Sequence, residues 1–214
     1  MPPPNRTKAI QDLVDRGVSA LKKQDWFEAE RVLERSLSMS RGRDDFVGMI
    51  EILEQLQTAR SGRRKDALAS RTAIRIVDDQ ITDTMEVERG RWMVQPPLVG
   101  ADARRLRLLA LSREVPVMVL CREPTTKLGQ IPVVAIGPIG AIRAQVPPPS
   151  NEKKPPASWF RDALAELGEA ARSRIDPAQD ILKRVDAVLN LIDTLPEDDG
   201  LHKDAIAICR EASQ

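Results

Sequence analysis

The 214-residue chain predicts a mixed α+β protein, with helical segments at both ends and a small α/β domain between them. Three observations predict it. Apolar residues recur at helical spacing from residue 5 to about 68, and helical spacing returns after residue 157. Between them, from about residue 71 to 146, β-branched residues, proline and glycine concentrate in short runs. The stretch "PPPSNEKKPPA" is polar and proline-rich, as an extended linker would be. The expected domains are therefore 1–68, 69–146 and 158–214, with 147–157 as the linker.

In the first segment, Ile10, Leu13, Val14, Gly17, Ala20 and Leu21 form one stripe, and Ala29, Val32, Leu33, Ser36 and Leu37 form a second. Phe46, Met49, Ile50, Leu53 and Leu56 form a third, with Asp44 or Asp45 in front as N-cap and "SGRR" as the stop. Short connections make consecutive helices antiparallel neighbours. In the middle segment "TAIRIV", "RWMVQ" and "VPVMVLC" read as strands, the last apolar on both faces. "GADARRLRLLALSRE" reads as a helix capped by Asp102, with Leu106, Leu109 and Ala110 inward, which gives a βαβ pattern. "IPVVAIGPIGAIRAQV" reads as two strands around a turn at residues 137–140. Residues 78–90 fit neither period. Beyond the linker, Ser158 caps a helix carrying Phe160, Ala163, Leu164 and Leu167, and Pro177 sits near the start of a second carrying Ile181, Leu182, Val185, Val188, Leu189 and Ile192. A last helix over Leu201–Glu211 turns Ala205, Ile208 and Cys209 inward, and these helices should pack on the N-terminal bundle or the α/β domain.

Composition narrows the function classes. Lysine plus arginine (33) nearly balance aspartate plus glutamate (32), so no global field draws the chain to nucleic acid or an anionic membrane. Tyrosine is absent, which removes much of the stacking surface of a single-strand binder. Cys121 and Cys209 lie far apart with no CxxC or Cys/His spacing, so no disulfide framework, zinc site or other metal is indicated, and a reducing compartment fits. The N-terminus lacks a signal-peptide core, and no run of about twenty apolar residues occurs, so a soluble cytoplasmic protein is expected, with no membrane partner. No cofactor motif is present: "GPIG" is followed by neither a GxGxxG fingerprint nor a P-loop lysine-serine.

Two sets of residues could carry function. Cys121 ends a buried strand, where open α/β sheets place ligands, and Asp102, Arg104, Arg105, Arg122 and Glu123 stand close to such strand ends. A phosphatase-type cysteine would want an arginine six residues on, where Lys127 stands, and the single histidine, His202, is remote in sequence. The default for Cys121 is a small apolar filler, and for His202 a surface helix cap. "RSGRRK" at 60–65 is the densest basic cluster, read as a solubilising helix end rather than a phosphate contact. Trp26, Trp92 and Trp159 stand near element boundaries, where exposed rings would serve as interface anchors.

The stretch "LVDRGVSALKKQDWFEAERVLERSL", residues 13–37, carries Gly17 in the close-contact position of a first helix. Ala29, Leu33 and Ser36 follow in the second helix, after a "DWFEA" lead-in. In this it resembles a tetratricopeptide repeat, a helix-turn-helix unit of roughly 34 residues. The resemblance covers about a fifth of the chain and implies recognition of a protein or peptide along the first helix, at Val14, Val18, Leu21 and Trp26. Val14 and Val18 stand where the peptide-carboxylate-clamping variant of the family has a lysine and an asparagine, so an apolar groove is implied instead. The expected function is a non-enzymatic adaptor or scaffold, with self-association through the same face an equivalent use of it. The alternative is a small enzyme or ligand-binding protein with its site near Asp102, Arg105 and Cys121.

Overall fold

The computed structural model describes residues 7–69, 73–138 and 140–214. In chain order its elements are α1 (Lys8–Lys22), α2 (Trp26–Arg41), α3 (Phe46–Ala69), β1 (Arg75–Val77), β2 (Gly90–Val94), α4 (Gly100–Ser112), β3 (Val117–Arg122), β4 (Ile131–Ile136), β5 (Ala141–Val146), α5 (Ala157–Arg172), α6 (Ile181–Thr194) and α7 (Asp199–Ala212). The mixed α+β class is as expected. The chain divides into a helical unit, Met1–Arg63 with Ile175–Ile192 and Pro196–Gln214, and an α/β unit, Arg64–Arg174 with Asp193–Leu195.

In the helical unit, each start is set by a side chain that accepts an otherwise unpaired helix N–H. Thr7 Oγ1 accepts from Ile10 N at 3.4 Å, Asp25 Oδ1 from Glu28 N at 3.2 Å, Asp45 Oδ1 from Gly48 N at 2.9 Å and Asp198 Oδ1 from Leu201 N at 2.8 Å. Ion pairs then give the order of neighbours. Arg16 meets Glu28 at 2.8 Å across α1 and α2, Arg60 meets Glu30 at 2.9 Å across α2 and α3, and Arg184 meets Glu211 at 2.6 Å across α6 and α7. The apolar stripes close between them, with Ile10, Ala29, Leu33, Met49, Leu53, Leu56, Val185 and Val188 all without exposed surface. "SGRR" does not stop α3, which runs on to Ala69. Gly62 is instead a crossing point, because a Cβ there would lie 2.6 Å from Cδ2 of Trp26.

In the α/β unit the strand order is β1-β2-β3-β4-β5, with the first three parallel and the last two antiparallel. The α4 helix crosses from β2 to β3, as the βαβ pattern requires, and Gly137 N donates to Gly140 O at 2.8 Å to close the β4–β5 hairpin. Asp102 is not the N-cap. Val99 holds that place and Asp102 Oδ2, in the first turn, accepts from Val99 N at 2.8 Å. Residues 78–89, which the periodicity leaves unplaced, form the crossover between β1 and β2 without a helix. Its Ile81 and Val87 are buried with Trp92, Val94, Ala103, Leu106 and Cys121 in one core on the α4 face of the sheet. A parallel crossover needs about a dozen residues, and this one anchors itself by two apolar side chains rather than by helical bonds.

The C-terminal segment is not one body. α5 packs on β4 and β5 with Phe160, Ala163, Leu167 and Ala171 buried, and belongs to the α/β unit, whereas α6 and α7 complete the helical unit. Residues 147–157 therefore do not separate two units. Trp159 Nε1 donates to Pro147 O at 2.7 Å, and Glu152 accepts from Arg122 at 3.2 Å, so the tract is fastened to the sheet it follows. Pro156, not Ser158, precedes the first turn of α5, and Pro177 lies in the turn before α6.

Candidate functional site

The α1–α2 hairpin is built around one close approach. A Cβ on Gly17 would lie 2.7 Å from Cγ and 2.8 Å from Cδ2 of Leu33, well inside the 3.5–4.0 Å optimum for carbon contacts. Glycine is thus what lets α1 lie on α2 at that crossing. Of the four residues expected to face a partner, Val14 is 1% exposed and belongs to the interior, while Val18, Leu21 and Trp26 keep part of their surface. Val18 and Leu21 lie one turn apart on α1, and the Trp26 ring lies over Gly62.

Behind the hairpin lies a buried ionic cluster. Arg60 and Arg63, 2% and 3% exposed, are not a solubilising helix end but interior residues. Arg60 donates to Glu30 at 2.9 Å and Glu34 at 2.7 Å, and Arg63 reaches Glu30 at 3.3 Å and Glu197 at 2.8 Å. Burial opposes the charge on Arg60, but the carboxylates of Glu30 and Glu34 outweigh it and raise its pKa. His202 closes the cluster: it is 1% exposed, not a surface cap. Its Nε2 lies 3.3 Å from Arg60 Nη1, which can only donate, so Nε2 is the acceptor and the proton sits on Nδ1, which donates to Asp198 O at 2.9 Å. Burial first, then the Arg60 charge, push its pKa down to about 4. The imidazole is neutral at pH 7, and the arrangement is that of a structural network.

At the carboxyl ends of the parallel strands the side chains are engaged with one another. Arg122 donates to Gln95 Oε1 at 2.7 and 3.1 Å, and Gln95 donates to Asp78 at 3.1 Å. Glu123 pairs with Arg143 at 3.0 Å. Cys121 is 1% exposed between Val94 and Val134, and burial, with Glu123 and Asp102 adding to it, pushes its thiol up to about 12. A thiol so withdrawn holds no thiolate near neutrality. Asp102, Arg104, Arg105, Cys121, Arg122 and Glu123 therefore do not converge: Asp102 serves the first turn of α4, Cys121 the core, and Arg122 and Glu123 the strand-end network.

Arg104 and Arg105 instead line a cleft of about 620 Å³ along the outer face of α4. Its other walls include Asp83 from the β1–β2 crossover, Leu108 and Arg113 from the rest of the helix region, and Ile136 from β4. Asp83 was hidden in the unplaced stretch, and Leu108 lies outside the inward stripe of α4, so neither carried a sequence signal. Among the described residues, no group of three or more His, Cys, Asp or Glu side chains could hold a metal ion, and no helix is long and apolar enough to cross a membrane. No protein-family model matches the chain, and neither a curated protein nor a solved structure does.

Proposed function

We propose that the chain is a non-enzymatic interaction protein, an adaptor or scaffold, whose tetratricopeptide-like α1–α2 hairpin receives a helix or extended segment of another protein. The observation that carries this reading is the Gly17–Leu33 crossing, a close helix approach of the kind on which such repeats are built. Val18 and Leu21 present a half-buried apolar strip on α1, and the charged Asp15, Arg16 and Lys22 beside them are exposed and can steer an approaching partner. The buried cluster of Glu30, Arg60, Arg63 and His202 braces α2 from behind, so that the strip is held on a rigid support.

The test is affinity capture with the intact chain and with a Val18→Asp, Leu21→Asp variant whose helical content is first matched by circular dichroism. A protein retained by the intact chain and lost from the folded variant supports the reading. Capture of the same set by both overturns it.

A further inference from the structure

The cleft along α4 is independent of that hairpin and has its own chemistry. Three arginines and one carboxylate, Arg104, Arg105, Arg113 and Asp83, are among its walls. Two of the arginines are spent. Arg105 pairs with Asp83 at 3.0 Å, and Arg113 donates to the backbone carbonyls of Asp83 and of Met85, so both fasten the crossover to the helix. Arg104 is different. Its Nε is covered by protein and has no hydrogen-bond partner, and among the described residues no hydrogen bond or ion pair engages its terminal nitrogens, which are left for the cleft that Arg104 lines. A covered Nε is out of reach of the cleft, so an acceptor from outside would meet the terminal nitrogens.

Next to this cation the cleft turns apolar. Leu108, 45% exposed, stands one turn beyond Arg104 on the same face of α4, with Leu109 and Ile136 beside it. The two terminal nitrogens of a guanidinium form a fork that matches one carboxylate in bidentate fashion. A volume of about 620 Å³ falls within the ordinary range for small-ligand sites.

We infer that the α4 cleft binds an organic monocarboxylate with an apolar chain, the carboxylate on Arg104 and the chain along Leu108, Leu109 and Ile136. A phosphate would bring a second negative charge to a place with one unspent cation. A short acid would leave the leucine wall wet.

The test is calorimetric titration of the full chain with octanoate, with acetate and inorganic phosphate as comparison probes. Saturable octanoate binding is expected. It should weaken about tenfold or more in Arg104→Gln, where one charged fork is lost, and comparably in Leu108→Asp, whose helical content is first matched to the parent by circular dichroism. Arg161→Gln, on an α5 side chain 76% exposed, should bind as the parent does. Three results overturn the assignment: no saturable binding of octanoate, undiminished binding by Arg104→Gln, or acetate or phosphate binding as tightly as octanoate.

Discussion

Replacing Gly17 with alanine probes the hairpin at its tightest point. The added methyl would meet Leu33 Cγ at 2.7 Å, Cδ2 at 2.8 Å and Cδ1 at 3.3 Å. Leu33 has no exposed surface, so its side chain cannot swing aside into solvent. Overpacking of this kind costs about 1–3 kcal/mol, while the gain in helix propensity from Gly to Ala returns about 1. The net expectation is a loss of about 0–2 kcal/mol. The sign reverses when the obstacle is removed: Leu33→Ala alone should cost about 2–5 kcal/mol, and adding Gly17→Ala to it should then stabilise by about 1. Urea unfolding of the four proteins, followed by circular dichroism, yields a coupling energy of about 1–3 kcal/mol. Additive effects, with Gly17→Ala stabilising by the same amount in both backgrounds, would refute the claim that glycine is there for the close approach.

The buried cluster supports further expectations. Glu30→Ala leaves Arg60 and Arg63 short of their shared carboxylate and should cost about 3–5 kcal/mol in chemical denaturation, with Glu30→Asp intermediate. The pKa of His202, pushed down to about 4 from an ordinary 6.5, means that between these values the unfolded chain holds a proton the folded chain refuses. Stability should therefore fall as pH drops from 6.5 toward 4, by at most about 1.4 kcal/mol per pH unit from this group, and His202→Gln should remove that slope. Cys121 and Cys209, 1% and 0% exposed with thiols pushed up to about 12 and about 11, should resist iodoacetamide in the native protein at pH 8 and react fully in denaturant.

Periodicity made these elements legible because they carry an inward stripe, Ile10, Val14, Gly17 and Ala20 in α1 and Val185, Val188 and Ile192 in α6, although Leu182 of the expected α6 stripe is exposed. The unread parts share one cause, which is dependence on residues distant in the chain. Arg60 and Arg63 look like a basic surface run until α2 and the start of α7 bring Glu30, Glu197 and His202 to them. Gly62 reads as a helix stop for the same reason that Gly17 reads as a crossing: a glycine inside a helix has both meanings, and only the position of Trp26 decides between them. Residues 78–89 have no period because their structure comes from Ile81 and Val87 entering the core singly. Of the candidate ligand residues, Arg104 and Arg105 share a cleft because they are neighbours on one helix, while Asp102, Cys121, Arg122 and Glu123 are drawn off by capping, burial and ion pairing.

The binding face proposed on α1 is centred at Val18. Its most direct measurement is photo-crosslinking in cells with a benzophenone side chain at position 18, compared with the same group at Arg35, an exposed position on α2. A discrete heavier species from position 18 and not from 35 is the predicted result. No adduct at 18, or the same adducts from both positions, would contradict the claim.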